Sequence, residues 1–246
     1  MKKIHINCDL GEGGEFDADL MPHISACNIA CGGHAGTLET MQQTIKLAVE
    51  HGVEIGAHPS YPDKENFGRK TMKISAEELQ RSIVAQILSL KQLAEAEGVK
   101  LTHVKPHGAL YNEAAKDEKT AQIIIDSLLE FDQNLALFCS LNSVISKLAK
   151  GKIPIVFEAF ADRNYNLDYS LVSRSKSNAL ISEKEAVFEH LFSMFSEGKI
   201  TCENDAKISC SATTFCLHSD TPNSVEIMNF LQQKFTEHNI KIKNAE

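Results

Sequence analysis

The chain has 246 residues, 43% of them hydrophobic, and a formal net charge of −8 from 33 acidic against 25 basic residues. This length and apolar content suit one large α/β domain, which we predict over residues 1–246. The acidic balance and the lack of any basic run argue against a nucleic-acid-binding protein.

The N-terminus carries two lysines without a following apolar segment, and no apolar run reaches the length of a membrane span. The seven cysteines are odd in number and mostly lie in apolar stretches, as free thiols in a reducing compartment do. We therefore expect a cytoplasmic protein with no signal peptide and no membrane partner.

Short β-rich runs alternate with longer helical patterns along the chain. Seven strands are predicted: Ile4–Cys8, Ile24–Ala30, Val53–Ala57, Leu101–Lys105, Leu135–Cys139, Ile153–Glu158 and Thr213–Leu217. Strands that alternate with helices favour a parallel sheet, because parallel strands need long crossover connections. Such a sheet is either open and doubly wound or closed into a barrel.

The clearest helix is predicted over Ala76–Glu97, where apolar residues recur every three or four positions on one face. A capping-box pattern at Ser75 begins this helix, and Gly98 ends it. The same pattern at Ser182 predicts the start of a second amphipathic helix that runs through Phe195.

Titratable or amide side chains follow six of the seven predicted strands, and strand alternation places His103, Lys105 and His107 on one face. A single polar residue at a strand end is often only a solvated loop residue or a helix cap. Here several residue types used in catalysis fall on one predicted rim, which favours an active site over solvated loops. A ring of such residues is typical of the mouth of a barrel.

Several of these segments resemble those of one known family. They are INCDLGEG at 6–13, ACNIACGGHAGT at 26–37, GAHPSYPD at 56–63, FGR at 67–69, HVKPHGALYN at 103–112, FADRNY at 160–165, LVSR at 171–174 and LHSDTP at 217–222. In this order they are similar to the LamB/YcsF family, described as the A subunit of 5-oxoprolinase. The chain departs from the family pattern at Cys8, Thr37, Tyr169 and Ser219, which stand where Ala, Asp, Gly and Gly are usual.

The resemblance implies an irregular, seven-stranded parallel β/α barrel related to polysaccharide deacetylases. It also implies ATP-dependent opening of 5-oxo-L-proline to L-glutamate, together with partner subunits B and C. For this reaction the candidate catalytic residues are Asp9, Glu12, His58, Lys105, His107 and Asp162. The candidates for binding substrate or nucleotide are Asn7, Asn28, His34, Glu158, Arg163 and His218.

Two alternatives remain open at this stage. A metal-dependent amidohydrolase or deacetylase would need no ATP, and a divalent ion would find ligands among Asp9, His34, His58 and His107. A non-catalytic scaffold protein within a larger assembly is the other alternative.

The most specific prediction concerns Lys105. Pro106 has no N–H and should end the strand, so the Lys105 ammonium should project into the barrel mouth. A buried cation needs an anionic partner, and the acids proposed for it are Asp9, Glu158 and Asp162.

Overall fold

A computed structural model describes residues 1–131 and 134–243 of the chain. Its strands are β1 Lys2–Ile4, β2 Ile6–Leu10, β3 Ala26–Ala30, β4 Glu54–His58, β5 His103–Val104, β6 Ala136–Ser140, β7 Ile155–Phe160, β8 Lys199–Thr201, β9 Lys207–Ser209, β10 Thr214–Cys216 and β11 Ile240–Ile242. Its α-helices are α1 Asp17–Leu20, α2 Leu38–His51, α3 Ala76–Ala96, α4 Gly108–Ala114, α5 Glu118–Leu129, α6 Val144–Ala149, α7 Lys184–Phe192 and α8 Ser224–Glu237. A 3₁₀ turn spans Met21–His23, and a π-helical turn spans Ser193–Glu197.

Seven strands form a closed parallel barrel in the order β10-β2-β3-β4-β5-β6-β7. The predicted seven-stranded β/α barrel is therefore confirmed, and all seven barrel strands fall where β-rich runs were predicted. All pairings within the barrel are parallel, so the carboxyl ends of the strands meet at one rim.

The first predicted strand, Ile4–Cys8, is divided between two sheets. β1 leaves the barrel and pairs in parallel with β11 at the end of the described chain, whereas β2 enters the barrel between β10 and β3. The change of sheet falls at His5, whose carbonyl accepts a hydrogen bond from Phe215 of β10. The antiparallel pair of β8 and β9 was not predicted either.

The other barrel strands differ by one or two residues from their predicted bounds, and β5 and β7 show why. Regular pairing in β5 stops at Val104, although the Lys105 amide still donates to the Ala57 carbonyl at 2.9 Å, and Pro106 ends the ladder as expected. The predicted strand Ile153–Glu158 begins two residues later and continues to Phe160, because its register with β6 starts at Ile155.

The predicted helix over Ala76–Glu97 is confirmed to within one residue at its end. The Ser75 side chain accepts from the Glu78 amide in a capping box, and Gly98 follows with a φ of 78°. The predicted cap at Ser182 is wrong: α7 begins at Lys184 with no side-chain cap. The Ile181 amide donates to the Asp162 carbonyl, which holds the preceding chain extended past Ser182.

The barrel interior is polar. Asn7, Asn28, His103 and Lys105 are all buried on strands that line it. Asn28 Nδ2 donates to Asn7 Oδ1 and to Asp9 Oδ1, each at 2.8 Å, and its Oδ1 lies 2.8 Å from His103 Nε2. These bonds satisfy the buried amides and fix the direction of each side chain. In the described ranges 1–131 and 134–243, no helix has the length and apolar character needed to cross a membrane.

Candidate active site

A cavity of about 560 Å³ opens at the carboxyl ends of the barrel strands. Of the predicted site residues, seven line it: Asp9, Glu12, His58, Lys105, His107, Arg163 and His218. The other five are buried behind this lining: Asn7, Asn28, His34, Glu158 and Asp162. The predicted residues thus form two layers, one facing the cavity and one supporting it.

Lys105 lies at the floor of the cavity, with only 2% of its surface exposed. Its Nζ is 2.8 Å from Asp9 Oδ1 and 2.9 Å from Glu158 Oε1, so two of the three acids proposed for it are its partners. The third, Asp162, pairs with His218 instead. The Glu158 contact has ion-pair distance but not hydrogen-bond geometry, and neither Glu158 oxygen accepts a hydrogen bond from the described residues.

The charges at the floor stabilise one another. Burial acts to lower the pKa of Lys105, but Asp9, Cys216 and Glu158 together outweigh it and the pKa is raised well above its usual value. Burial likewise acts to raise the pKa of Asp9, but His58 and Lys105 hold it well below the usual range. Asp9 is therefore a carboxylate that supplies fixed negative charge to Lys105 and to His58, whose Nε2 is 3.3 Å away.

Three histidines and Glu12 form a second group at the mouth, defined here as the His/Glu cluster: Glu12, His34, His58 and His107. The rings of His34 and His107 stack with centroids 3.6 Å apart, and His107 Nδ1 is 2.9 Å from His58 Nε2. Glu12 Oε1 lies 2.9 Å from His34 Nε2. One donor atom of each residue lies within 4.8 Å of the others, which brings Glu12 into the ligand set where the sequence suggested Asp9.

Burial governs the proton affinities of this cluster. It raises the pKa of Glu12 to about 7 and lowers the pKa of His34 to about 4. It also holds the pKa of His107 well below the usual value, with a further contribution from His58. Three buried imidazoles and a half-buried carboxylate are suited to sharing a proton or a cation rather than to carrying separate charges.

On the opposite side of the cavity, the half-buried His218 pairs with the buried Asp162. His218 Nδ1 is 2.9 Å from Asp162 Oδ1, and Asp162 Oδ2 accepts from the His218 amide at 2.9 Å and from the Thr221 hydroxyl at 2.5 Å. Burial acts against the charged form of both groups, but their mutual attraction raises the pKa of His218 and lowers that of Asp162. The pair resembles the imidazole–carboxylate unit that general acid–base catalysis uses.

Comparison with known proteins places this arrangement in a family. A model of the LamB/YcsF family matches residues 4–246. The chain belongs to the LamB/YcsF family.

Two relatives match nearly the whole chain. Over 244 residues it is 42% identical to a protein of Haemophilus influenzae (strain PittEE) named as the A subunit of 5-oxoprolinase, covering 98% of this chain and 99% of the relative. Among solved structures, a lactam utilization protein from Thermus thermophilus superposes with a TM-score of 0.92 at 33% identity, covering 98% of this chain and 99% of that one. T48 deacetylase shares the fold at a TM-score of 0.52 and 16% identity, over 99% of this chain and 88% of that one.

This LamB/YcsF protein departs from the family pattern at positions with different structural roles. Thr37 caps α2 by accepting from the Thr40 amide, so it stabilises a helix end away from the cavity lining. Tyr169 lines the cavity and has a φ of 69°, a left-handed conformation that explains why the family usually has Gly there. The Ser219 hydroxyl donates to the Asp9 carbonyl at 2.7 Å.

Sequence reasoning missed a polar rim around the cavity. Arg69 and Asp220 form an ion pair across the mouth, and Arg174 Nη1 lies 3.6 Å from the same carboxylate. All three residues lie in the segments that resemble the family, so the sequence could have marked them as candidates. Only the fold shows that they lie close together. Arg163, predicted to bind an anion, instead donates from Nε and Nη2 to the carbonyls of Ala179 and Val172. It thereby fastens the chain that covers one side of the cavity.

Proposed function

We propose that this LamB/YcsF protein is the A subunit of an ATP-dependent 5-oxoprolinase, which opens 5-oxo-L-proline to L-glutamate together with subunits B and C. The observation that carries the proposal is the cavity itself, in which the buried Lys105 and His218, held by Asp162 behind it, face one small space. The names of its relatives, a 5-oxoprolinase component and a lactam utilization protein, support the same substrate class.

The cavity suits a small anionic ligand. Its volume of about 560 Å³ lies in the range typical of sites for small molecules. Arg69 and Arg174 contribute to its lining, and guanidinium groups match the geometry of carboxylate and phosphate oxygens. Phe160 and Tyr111 add apolar surface beside the ring of a bound lactam.

The proposed reaction begins with activation of a stable amide. The lactam oxygen attacks the γ-phosphorus of ATP, and ADP leaves. Water then attacks the phosphorylated carbon, the C–N bond breaks, and the ring nitrogen leaves as an amine after it takes up a proton. This leaves an acyl phosphate, which a second water hydrolyses to inorganic phosphate and the carboxylate of glutamate.

His218 is our candidate for proton transfer in these steps. Asp162 accepts from His218 Nδ1, which leaves Nε2 as the ring nitrogen that exchanges protons with water and with the leaving amine. Lys105 provides positive charge at the cavity floor, where it would stabilise the negative charge of the phosphorylated tetrahedral intermediate. Asp9 keeps that ammonium charged and fixed in place.

The test is turnover of 5-oxoproline by the purified chain, alone and with subunits B and C, with and without ATP. Formation of glutamate and ADP is expected only when all three subunits and ATP are present. In that assembly, His218→Gln should lower kcat by about 100-fold, as expected for loss of a general acid–base group. Glutamate formation by the complete assembly without ATP would contradict the proposal, and an unchanged kcat in His218→Gln would favour a scaffold role.

A second candidate function is metal-dependent amide hydrolysis without ATP. The His/Glu cluster favours it, because imidazole and carboxylate ligands at a cavity are the usual donors of hydrolytic metal sites. Deacetylation or lactam hydrolysis by the chain alone, in the absence of ATP and of both partners, is the result that would establish it.

A further inference from the structure

Two histidines of the His/Glu cluster are locked by backbone carbonyls. His58 Nδ1 lies 2.7 Å from the Lys105 carbonyl, and His107 Nε2 lies 3.0 Å from the Phe67 carbonyl. A carbonyl oxygen only accepts, so these two ring nitrogens carry the hydrogens. In the neutral rings, His58 Nε2 and His107 Nδ1 therefore carry lone pairs.

These two lone pairs point into the same space. His58 Nε2 and His107 Nδ1 are 2.9 Å apart, the distance of a hydrogen bond, yet neither neutral ring has a proton to place between them. The carboxylates of Glu12 and Asp9 add two more acceptors. Glu12 Oε1 lies 3.3 Å from His107 Nδ1 and 3.9 Å from His58 Nε2, and Asp9 Oδ2 lies 3.3 Å from His58 Nε2. Four acceptors so close together repel one another unless a positive charge lies among them.

We propose that the His/Glu cluster binds one divalent transition-metal ion of the zinc type, through Glu12, His34, His58 and His107. A ligand set of mostly imidazole selects such ions over Mg²⁺ and Ca²⁺, which prefer oxygen. Tetrahedral ligands at Zn–N distances near 2.0–2.1 Å lie about 3.3 Å from each other. The separations of 2.9–3.9 Å among the cluster's neighbouring donor atoms bracket that value.

The contacts that hold these imidazole rings in place are of the kind found in metal sites. A metal-binding histidine binds the ion through one ring nitrogen, and its other ring nitrogen donates to a carbonyl or carboxylate, which orients the ring and fixes its tautomer. His58 and His107 both have such a carbonyl partner. Gly68, with a φ of 62°, allows this close packing, because a Cβ there would lie 2.9 Å from His34 Cβ and 3.1 Å from His107 Cδ2.

A neighbouring group of potential ligands, formed by Asp9, Cys216 and His218, does not make a second site. The Lys105 ammonium lies 2.8 Å from Asp9 Oδ1 and 3.2 Å from Cys216 Sγ, so a cation already occupies the space between these ligands. Repulsion from this ammonium disfavours a metal ion there and leaves the His/Glu cluster as the site.

The ion would act in the reaction as a Lewis acid. Glu12, His58 and His107 line the cavity, so a substrate oxygen there comes within reach of the ion. This role in turnover rests on the proposed function, whereas binding of the ion is a property of the chain alone and is measured without substrate.

The experiment treats the full chain with a chelator and then titrates it with Zn²⁺ by calorimetry and with Co²⁺ by visible absorption. One equivalent should bind with a Kd in the micromolar range or tighter, and Co²⁺ should give the d–d bands of a four- or five-coordinate site. His58→Gln should weaken binding by more than about 100-fold, since loss of a ligand exceeds the 10- to 100-fold effect of a supporting residue. Glu12→Gln, which preserves shape, should weaken it by at least about 10-fold.

His51→Gln is the matched control, because His51 is an exposed histidine on α2, outside the cluster. It should bind both ions as the wild type does. The proposal is overturned if the wild type binds neither ion with a Kd below about 1 mM, or if the wild type and His58→Gln bind equally well. In either case a proton shared by the imidazoles would explain the cluster instead. Tight binding in a chain whose assembly never hydrolyses 5-oxoproline would leave the metal site standing and refute the proposed function instead.

Discussion

At the scale of single residues, Lys105 bears most directly on function. It is a buried cation held by two carboxylates, and such pairs contribute little net stability while fixing charge in a chosen place. Its burial at the floor of a cavity favours a role in binding or catalysis over a purely structural one.

Replacing Lys105 with Met keeps much of the aliphatic stem and removes the charge. We expect the fold to survive, at a cost in the free energy of unfolding of up to about 3–5 kcal/mol, because Asp9 and Glu158 lose their partner. In the proposed three-subunit 5-oxoprolinase, turnover of 5-oxoproline should fall at least about 100-fold. Steady-state kinetics and thermal unfolding measure the two effects.

The control is Lys91→Met, which breaks an exposed ion pair with Glu95 on the outer helix α3. It should change neither turnover nor stability by a measurable amount. A folded Lys105→Met protein with near wild-type turnover would exclude a catalytic role for Lys105.

A second prediction at this scale concerns His190, a buried histidine of α7 next to Tyr165. Burial lowers its pKa from 6.5 to about 4, so the folded state holds it neutral while the unfolded chain protonates it at higher pH. Its contribution is fully present above pH 6.5 and is lost as the pH falls towards 4. At pH 5 the loss is about 2 kcal/mol relative to neutral pH.

His190→Phe should remove this dependence. Chemical denaturation at about pH 7.5 and at about pH 5 measures the free energy of unfolding. Its fall between these two pH values should be about 2 kcal/mol smaller in the variant than in the wild type. His51→Gln, at an exposed histidine, should retain the wild-type dependence. Parallel pH profiles for His190→Phe and the wild type would mean that folding does not lower the pKa of His190.

At the scale of elements, local sequence rules were reliable where packing agreed with them. The capping box at Ser75 begins a helix, whereas the same pattern at Ser182 does not, because the Ile181 amide is bound to the Asp162 carbonyl. A residue pattern carries no information on such a tertiary hydrogen bond. For the same reason, alternation revealed the polar face that contains Lys105, but not that Asp162 would pair with His218 instead.

Strand β4 provides a test of how tightly the polar interior is packed. A Cβ at Gly56 would lie 2.1 Å from His103 Nε2. His103 cannot easily move, since its ring stacks on Phe138 at 4.0 Å and its Nε2 is bonded to Asn28. Gly56→Ala should therefore lower the free energy of unfolding by about 2–3 kcal/mol, as overpacking does.

Gly14→Ala is the control, because its Cβ would meet only Asp17 Oδ1 at 3.9 Å. Urea denaturation of both variants measures the difference. Adding His103→Ala to Gly56→Ala should relieve part of the cost, so the two substitutions should be non-additive. A Gly56→Ala protein as stable as Gly14→Ala would show that the barrel interior has more space than this geometry allows.

At the scale of the whole molecule, the alternation of strands and helices predicted a parallel sheet but left open whether it closes. The ring of polar residues at the strand ends and the family resemblance predicted its closure into a barrel. The pairing of β1 with β11 was beyond the sequence. Both strands have three residues, and they lie at opposite ends of the chain, so neither local periodicity nor neighbouring strands indicate the contact. The same holds for the ion pair of Arg69 and Asp220, which joins two distant loops across the cavity.

The β1–β11 pair yields the last prediction. Ile240 lies opposite Lys2 in the parallel register and is 6% exposed, packed in the same hydrophobic core as Ile4. Ile240→Ala should lower the free energy of unfolding by about 2–4 kcal/mol, because it removes buried methylene groups that tie the two ends of the chain to the barrel. Its neighbour Lys241 is exposed, so Lys241→Ala should stay within about 0.5 kcal/mol of the wild type. Thermal and urea unfolding compare the two, and equal stability of both variants would show that the terminal strand pair contributes nothing to holding the barrel closed.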